Sequence, residues 1–308
     1  MENYIKDYLS HINMDQTKYF SKLIKCEVCE SEDHEIVREI ISISRGNYGK
    51  LPVVSCKKCG FLFQNPRLNE EFYEDYYKKN YRNLIFKGND PSEKFVNDQI
   101  LRGKRLFEFI KKFIPKKGKI LDVGCSVGCM LVPFIENGWE AFGTDLDTDY
   151  VKFGREKLGL PIEDVKAENM TLEENTYDLI IIMGSLEHIF DPNKTLEICK
   201  KAAKDNSLII LEGRGEPQSH TRDYFNQNHH RYFTLVSIEL MMMKHGWKPF
   251  LTTNEEIYGS TRPGAFTSMG KLEKHFKKED FKEILKNKKE DYIEVIKKFD
   301  DHDKKFQS

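Results

Sequence analysis

The sequence predicts an α/β protein built on a largely parallel sheet with helices on both faces, preceded by a small four-cysteine ribbon. Two observations carry this. From about residue 118 to 270, apolar strand-like runs alternate with amphipathic helical segments, the pattern of a doubly wound sheet. Ahead of them, Cys26 and Cys29 form one C-x-x-C pair, and Cys56 and Cys59 form a second. With 308 residues the chain has room for one large core plus a small accessory module. It divides into an N-terminal segment carrying the ribbon (1–66), a helical linker (67–117), the α/β core (118–270) and a C-terminal amphipathic helix (271–308).

Lys and Arg number 49 against 50 Asp and Glu. No overall field therefore holds the protein on nucleic acid or on an anionic membrane. No run approaches the roughly 20 apolar residues of a membrane helix, and MENYIKDYLSHINMDQ lacks the basic start and apolar stretch of a signal peptide. The expectation is a soluble, cytoplasmic protein with neither a membrane nor a nucleic-acid partner. In that setting seven cysteines favour metal sites over disulfides.

The paired cysteines sharpen this. Thiolates at C-x-x-C spacing point at a common centre, and Cys26, Cys29, Cys56 and Cys59 complete the closed tetrahedral shell of a structural zinc. Such a shell keeps no position open for catalysis. The 26 residues between the pairs include HEIVREIISISRGNYGKLPVVS, an alternating stretch with Gly-Asn and Tyr-Gly turn signals, which predicts a hairpin. A ribbon of this size cannot bury enough surface alone, so metal binding contributes much of its folding energy.

From Pro66 to about Pro115 two helices are expected. The second places Phe95, Leu101, Leu106, Phe109 and Ile110 near helical spacing, to pack on the core. In the first, Tyr73, Tyr76, Tyr77 and Tyr81 either pack or line a ligand cleft.

KILDVGCSVGCMLVPFIENGW then reads as a strand ending in Asp122, a glycine turn, and a helix opening near Met130. This is the first βα unit of a nucleotide-binding fold. Gly124 and Gly128 permit a tight turn and close backbone approach to a ligand. The spacing is G-x-x-x-G with an acid two residues ahead, whereas pyrophosphate sites carry G-x-G-x-x-G. That disfavours a dinucleotide and favours a cationic, amino-acid-bearing ligand. A second strand, WEAFGTDLD, ends at Asp145, 23 residues after Asp122, where such folds place the acid that grips ribose hydroxyls. Asp147 is the near alternative; Asp145 ranks first because it ends the strand. A helix (DTDYVKFGREKLG), a short strand into VKAENM, the strand of YDLIIIMGSLEHIFDP, a helix from Pro192 to Ala203 and the strand SLIILEG follow.

The ordered set LDVGCSVG, GTDLD, YDLIIIMGSLEHIFDP, LIILEG and HHRYFTLVSIELMMMKHGW, over roughly residues 95 to 270, resembles the motif series of class I S-adenosylmethionine-dependent methyltransferases. With its front cysteines and CGFLFQNPR, the chain is similar to zinc-ribbon methyltransferases of bacterial surface-polysaccharide and modified-sugar biosynthesis. The resemblance implies a Rossmann-like, seven-stranded methyltransferase sheet, closed by an antiparallel hairpin from Trp247–Thr253 and Phe266–Met269. It places the methionine portion of S-adenosylmethionine over Asp122, Gly124 and Cys125, with Gly128 completing the turn, and the ribose on Asp145. Leu146 then packs on the adenine beside Ala167 and Glu168, while Met183 and Gly184 face the sulfonium and its acceptor. One position departs from the family: Lys166 stands where an adenine-binding Asp is usual, leaving that contact to Glu168 or to backbone amides.

Methyl transfer from a sulfonium is an in-line displacement, so the protein aligns two reactants and removes a proton when the acceptor is a hydroxyl or carbon acid. Glu187-His188 stands where sugar-acting relatives carry a base, with packing of His188 on the next loop as the alternative. His229 and His230 compete for the same role. They belong to EGRGEPQSHTRDYFNQNHHRYFT, whose His220, Arg214, Arg222 and Arg231 would suit a phosphate-bearing or nucleotide-linked substrate, with a solvated polar loop carrying one histidine buried against Tyr232 as the alternative. A metal site among these histidines is disfavoured, because no helical i, i+4 pair is present. The tail reads as one amphipathic helix with Phe281, Ile284, Leu285, Tyr292, Ile296 and Phe299 along one side, covering the core or a second subunit. Sequence leaves the oligomeric state open.

The first functional expectation is a methyltransferase for a sugar or other small metabolite. The chain also resembles ribosomal RNA guanine methyltransferases with a front zinc ribbon, but the mixed charge of the ribbon speaks against RNA. The intact Asp122, Gly124, Gly128 and Asp145 speak against a non-catalytic scaffold.

Overall fold

Alternating apolar residues give each strand two faces, and the fold follows from what covers them. The computed structural model describes residues 19–44, 47–77, 90–255 and 263–306. Tyr81 and the glycine of the Gly-Asn turn signal lie outside these, as does the start of the chain.

In the front segment β1 (Ser21–Lys22) will pair with β5 (Arg67–Leu68), while β2 (His34–Ser44), β3 (Asn47–Cys56) and β4 (Leu62–Gln64) form antiparallel neighbours. The expected hairpin is β2 and β3, with His34 opposite Cys56 and Ser44 opposite Asn47. Helix α1 (Glu70–Tyr76) follows, then α2 (Glu93–Ile110), capped by the Ser92 side chain accepting from the Phe95 N–H. On α2, Arg102, Leu106 and Ile110 recur every four residues and are buried, whereas Leu101 is 44% exposed. The reading that put Leu101 on the packing face is therefore corrected: one residue is about 100° of helix, and Leu101 falls off the stripe.

The core strands are β6 (Lys119–Val123), β7 (Glu140–Asp145), β8 (Ile162–Asp164), β9 (Tyr177–Met183) and β10 (Ala203–Arg214). Between them lie α3 (Val132–Glu136), entered through a 3-10 turn at Cys129–Leu131, α4 (Thr148–Leu158) and α5 (Pro192–Ala202). After α6 (Thr221–Tyr224) and β11 (Arg231–Tyr232) come α7 (Leu235–Lys244), β12 (Trp247–Thr253) and β13 (Ala265–Leu272). The sheet is seven-stranded in the order β12-β13-β10-β9-β6-β7-β8. Strands β10 through β8 run parallel, and β13 is antiparallel to both β10 and β12. This is the α/β sheet and closing hairpin that the sequence predicted.

Both faces are filled. Ile120, Leu179, Ile181 and Ile210 pack with Leu106 and Ile110 of α2, Phe134 of α3 and Val151 of α4. Leu121, Ile180, Ile182 and Ile209 face the other way, onto Leu196 of α5 and Ile238 of α7. That second cluster continues through Phe233 into Phe61, Phe63, Val28 and the cysteines of the ribbon. The ribbon also borrows a strand, since β11 pairs with β4 to complete a four-stranded sheet ordered β11-β4-β3-β2.

The single C-terminal helix expected from sequence is two, α8 (Lys278–Asn287) and α9 (Tyr292–Lys304). Lys288 is extended, and the Asp291 carboxylate caps α9 by accepting from the Ile293 N–H. The break lets one tail serve two surfaces: Phe281 and Leu285 join the core, while Val295 and Phe299 pack on the ribbon beside Ile41 and Leu51. No helix among the described residues is long and apolar enough to cross a membrane.

Trp247, the first residue of β12, is fully buried in the cluster that joins core to ribbon. Trp247→Ala is expected to lower the unfolding free energy by about 3–5 kcal/mol, measured as a lower midpoint in urea.

Candidate functional site

A cavity opens at the carboxyl ends of the parallel strands, where doubly wound folds build their sites. Strand β6 delivers Asp122, and the chain then turns at Gly124, with φ +77°. The Gly124 and Cys125 N–H groups both donate to the Thr144 carbonyl, at 2.7 and 3.0 Å. A Cβ on Gly124 would stand 2.3 Å from the Ser185 Cβ, so only glycine fits. Gly128, also at φ +77°, packs on Ile162 and opens the 3-10 turn without lining the cavity. Its work is in the turn.

Asp122, Gly124, Cys125, Asp145, Leu146, Ala167, Glu168 and Met183 all line this cavity, so the structure brings together nearly every residue assigned to a cofactor. Asp122 is 2% exposed, and its Oδ2 has no hydrogen-bond partner. Burial, together with repulsion from Asp145, pushes its pKa up to about 8, and Arg102 only partly opposes this. Asp145 accepts from the Ser126 N–H at 2.7 Å and the Asp147 N–H at 2.9 Å. Each oxygen accepts one of these bonds and has capacity for a second. Asp147 caps α4, accepting from the Tyr150 N–H at 3.1 Å, which separates its task from that of Asp145. Glu168 is 4% exposed and accepts from the Asp191 N–H at 2.8 Å.

Two helices close the cavity; the sequence reading allowed the tyrosines of the first to line a ligand cleft and missed the part played by the second. From α2 come Phe95, Gln99 and Arg102; from α1 and its end come Glu70, Tyr73, Glu74 and Tyr77. Arg102 is 3% exposed and pairs with the buried Glu212 at 3.0 Å. The available signal was an arginine four residues before Leu106, on the apolar stripe of α2. Of the tyrosines, Tyr76 stacks on Phe72 in the packed interior, while Tyr73 and Tyr77 reach the cavity.

His188 lines the cavity. Its Nδ1 lies 2.9 Å from the Asn228 carbonyl and 2.9 Å from the Tyr77 hydroxyl. A carbonyl only accepts, so the bond to Asn228 requires the hydrogen on Nδ1; the Tyr77 hydroxyl then donates to that same carbonyl at 3.5 Å, and this tautomer leaves the lone pair on Nε2, the form a general base requires. His229 packs edge-on against His188 with ring centroids 4.8 Å apart. The Asn226 amide donates to the Tyr224 carbonyl at 3.2 Å and to His229 Nδ1 at 2.9 Å, while its oxygen accepts from the Asn228 N–H at 3.1 Å. His229 accepting at Nδ1 holds its own proton on Nε2.

One potential ligand atom each from Glu187, His188 and His229 lies within 4.8 Å of the others. The sequence had no pattern for this cluster, since His229 arrives from a distant loop. A protonated Nε2 on His229 is the wrong form for a metal ligand, so hydrogen bonding speaks for a proton-handling cluster. Glu187 is 1% exposed and does not line the cavity.

Two expectations are corrected. His230 is fully buried against Tyr73 and Phe190, away from the cavity lining. Burial, with Arg67 and Arg231 nearby, holds its pKa well below the usual imidazole value, so it is no base for a cavity ligand. The polar loop of residues 212–234 is also not one phosphate site. His220 caps α6, Arg222 lies over the Tyr48 ring and Arg231 is fully buried. None of the three lines the cavity.

At the ribbon, Cys26 and Cys59 sulfurs stand 3.6 Å apart and those of Cys29 and Cys56 3.4 Å apart, with all four within 4.8 Å. A tetrahedral zinc with Zn–S near 2.3 Å sets sulfurs roughly 3.8 Å apart. A disulfide needs about 2.05 Å. The cluster has metal geometry. Between Cys26 and Cys29, burial would raise the Glu27 pKa, but Arg231 and Arg67 outweigh it and hold the carboxyl at about 2.

Residues 97–250 match the family described as a methyltransferase domain, half of the 308-residue chain. The ubiquinone biosynthesis O-methyltransferase of Cereibacter sphaeroides is 26% identical over 154 residues, covering 46% of this chain and 58% of that one. Its counterpart in Roseobacter denitrificans is 27% identical over 148 residues, covering 46% and 57%. The chain thus spans less than two thirds of these relatives. The solved structure of 1,6-didemethyltoxoflavin-N1-methyltransferase from Burkholderia thailandensis, with 1,6-didemethyltoxoflavin and S-adenosylhomocysteine bound, aligns with a TM-score of 0.51 at 11% identity. The alignment covers 69% of this chain and 95% of that one, a likeness of fold alone.

The turn gives a direct test. Gly124→Ala meets both the left-handed backbone and the Ser185 side chain, and is expected to lower the unfolding free energy by about 1–3 kcal/mol in a urea titration. Gly159, at φ +65° with nothing within 4 Å of an added Cβ, is the control; alanine there meets only the backbone term of about 1 kcal/mol.

Proposed function

Because the chain belongs to the methyltransferase-domain family, we propose that it transfers a methyl group from S-adenosylmethionine to a small-molecule acceptor in the cavity beneath α1 and α2. The observation that carries the reading is Asp122: a carboxylate with an unpartnered oxygen, 2% exposed, in a cavity also lined by Asp145. Such a site calls for a cation, and the methionine ammonium and sulfonium are cationic. Glycine at 124 leaves the backbone open to close approach, so the residues present fit the group.

Asp122 with the backbone at Gly124 and Cys125 would hold the methionine portion. Asp145 would take the ribose hydroxyls, and Leu146, Ala167 and Glu168 the adenine. When bound, S-adenosylmethionine supplies an electrophilic methyl on its sulfonium. His188 then removes the acceptor proton at Nε2, while the Asn228 carbonyl and Tyr77 hold its ring. His229 stands against it, and Met183 at the end of β9 shields the reacting centre from water.

For the acceptor we propose a sugar, nucleotide-linked or within a polysaccharide precursor. The likeness to zinc-ribbon methyltransferases of modified-sugar biosynthesis supports this, as does a base suited to a hydroxyl or an acidic carbon. Cys26, Cys29, Cys56 and Cys59 would hold one structural zinc. Reduced thiolates of that kind fit a reducing, cytoplasmic setting.

Two measurements test the reading. Cation binding needs Asp122 ionised, and its pKa is raised, so affinity must climb with pH until about 8. Calorimetry with S-adenosylhomocysteine is expected to show roughly tenfold tighter binding per pH unit between pH 6 and 7.5, with proton release, levelling above about 8. Asp122→Asn should bind weakly at every pH; no binding by the unsubstituted protein overturns the reading. On a hydroxyl acceptor, His188→Asn is expected to lower kcat by about 10²–10⁴ with cofactor affinity retained.

A further inference from the structure

The first cysteine pair encloses a residue that neither metal binding nor methyl transfer explains. The Glu27 side chain is 9% exposed. Its Oε1 accepts from Arg67 Nη1 and Arg231 Nη2, both at 2.8 Å, and its Oε2 accepts from Arg231 Nε at 2.9 Å. The bond to Arg231 is a two-point fork, which fixes the orientation of the guanidinium as well as its position.

The far side of Arg231 is equally committed. Its Nη1 donates to the Leu186 carbonyl at 2.5 Å and to the Ile189 carbonyl at 2.6 Å. These carbonyls flank Glu187-His188. Arg67 adds bonds to the Phe190 and His230 carbonyls, each at 3.3 Å. One carboxylate and two guanidiniums therefore grip the loop that carries the base.

Glu27 is itself placed by the cluster. Its neighbours Cys26 and Cys29 are ligand candidates, and the tight turn between them is bounded by two backbone bonds, Glu30 N–H to Cys26 O and Cys26 N–H to Ser31 O, each 2.9 Å. The Glu27 carbonyl accepts from Lys244 at 2.7 Å and from Asn193 at 3.1 Å, fastening the turn to α7 and α5. Thiolates of Cys26 and Cys29 closing on a metal would tie this turn further.

We propose that the ribbon is a positioning element for the base. The metal-closed turn holds Glu27, Glu27 orients Arg231, and Arg231 fixes residues 186–190 so that His188 faces the cavity in one tautomer. Glu27 and Arg231 are positioning residues, and the proton transfer stays with His188. The inference rests on His188 as the base of the proposed methyl transfer.

The test uses the full chain carrying ¹⁵N-labelled histidine, with His188→Asn assigning the signal. In the unsubstituted protein the ring nitrogens of His188 should report a single Nδ1–H tautomer. Glu27→Gln keeps the shape and removes the charge. It is expected to retain its metal and to bind S-adenosylhomocysteine within about threefold of wild type, while His188 becomes a mixture of tautomers and kcat falls at least tenfold. Arg231→Lys, which loses the fork, should do the same and decides the matter where Glu27→Gln does not fold. Failure of the unsubstituted protein to bind S-adenosylhomocysteine sinks the methyltransferase reading itself. Binding that persists, with a wild-type His188 spectrum in the variants, overturns the positioning role alone.

Discussion

A carboxylate buried at the centre of the sheet, with one oxygen unanswered by the protein, is the constraint around which the site is arranged. Taking a charged group out of water is costly unless something pairs with it. Here the neighbouring Asp145 adds to that cost. Strand order makes the juxtaposition unavoidable, since β6 lies between β7 and β9. Asp122, Asp145 and Met183 therefore end side by side. The glycine turn keeps side chains out of the space in front of Asp122, and Arg102, buried against Glu212, lessens the repulsion without closing on the free oxygen.

The ribbon answers a different problem. Its strands are too few to bury a core, and it solves this by joining another: β11 completes its sheet, and its aromatic residues extend the cluster beneath the main sheet. The Glu27, Arg67 and Arg231 group lies in that seam. Buried ion pairs often contribute little net stability, because desolvation offsets attraction, but they fix orientation. The backbone carbonyls of Leu186, Ile189, Phe190 and His230 accept from the two guanidiniums, so the excess positive charge is met by dipoles rather than by a second acid, although Arg67 Nε is buried without a partner.

Much of this was legible in the chain because the signals are local. Asp122 with its glycine turn, Asp145 at the next strand end and the two C-x-x-C pairs are each written within a few residues, and the alternation of strands and helices orders them. What failed to show depends on distant meetings. That Tyr77 touches His188, or that Glu27 reaches Arg231, requires segments more than a hundred residues apart. The histidine- and arginine-rich loop misled because composition says nothing about direction: Arg231 turns inward, Arg222 turns to Tyr48, and His230 disappears behind Tyr73. The tail misled because two short helices and one long helix share the same amphipathic period, and only the extended backbone at Lys288 separates them.

Lys166 shows how a local departure becomes intelligible only in three dimensions. It stands where the family resemblance places an acid against adenine, so sequence alone reads as a missing contact. In the fold its ammonium pairs with Glu70 and, at 3.0 Å, with Glu74. Those two glutamates are four residues apart and so share one face of α1. Glu168 stands beside them on the cavity wall. An acid at 166 would repel all three and press α1 away from the cavity; lysine instead draws the helix, and with it Tyr73 and Tyr77, over the opening. The acidic face of α1 and the lysine 96 residues later in the chain therefore meet at the cavity wall, at the end of the same helix from which Tyr77 reaches His188.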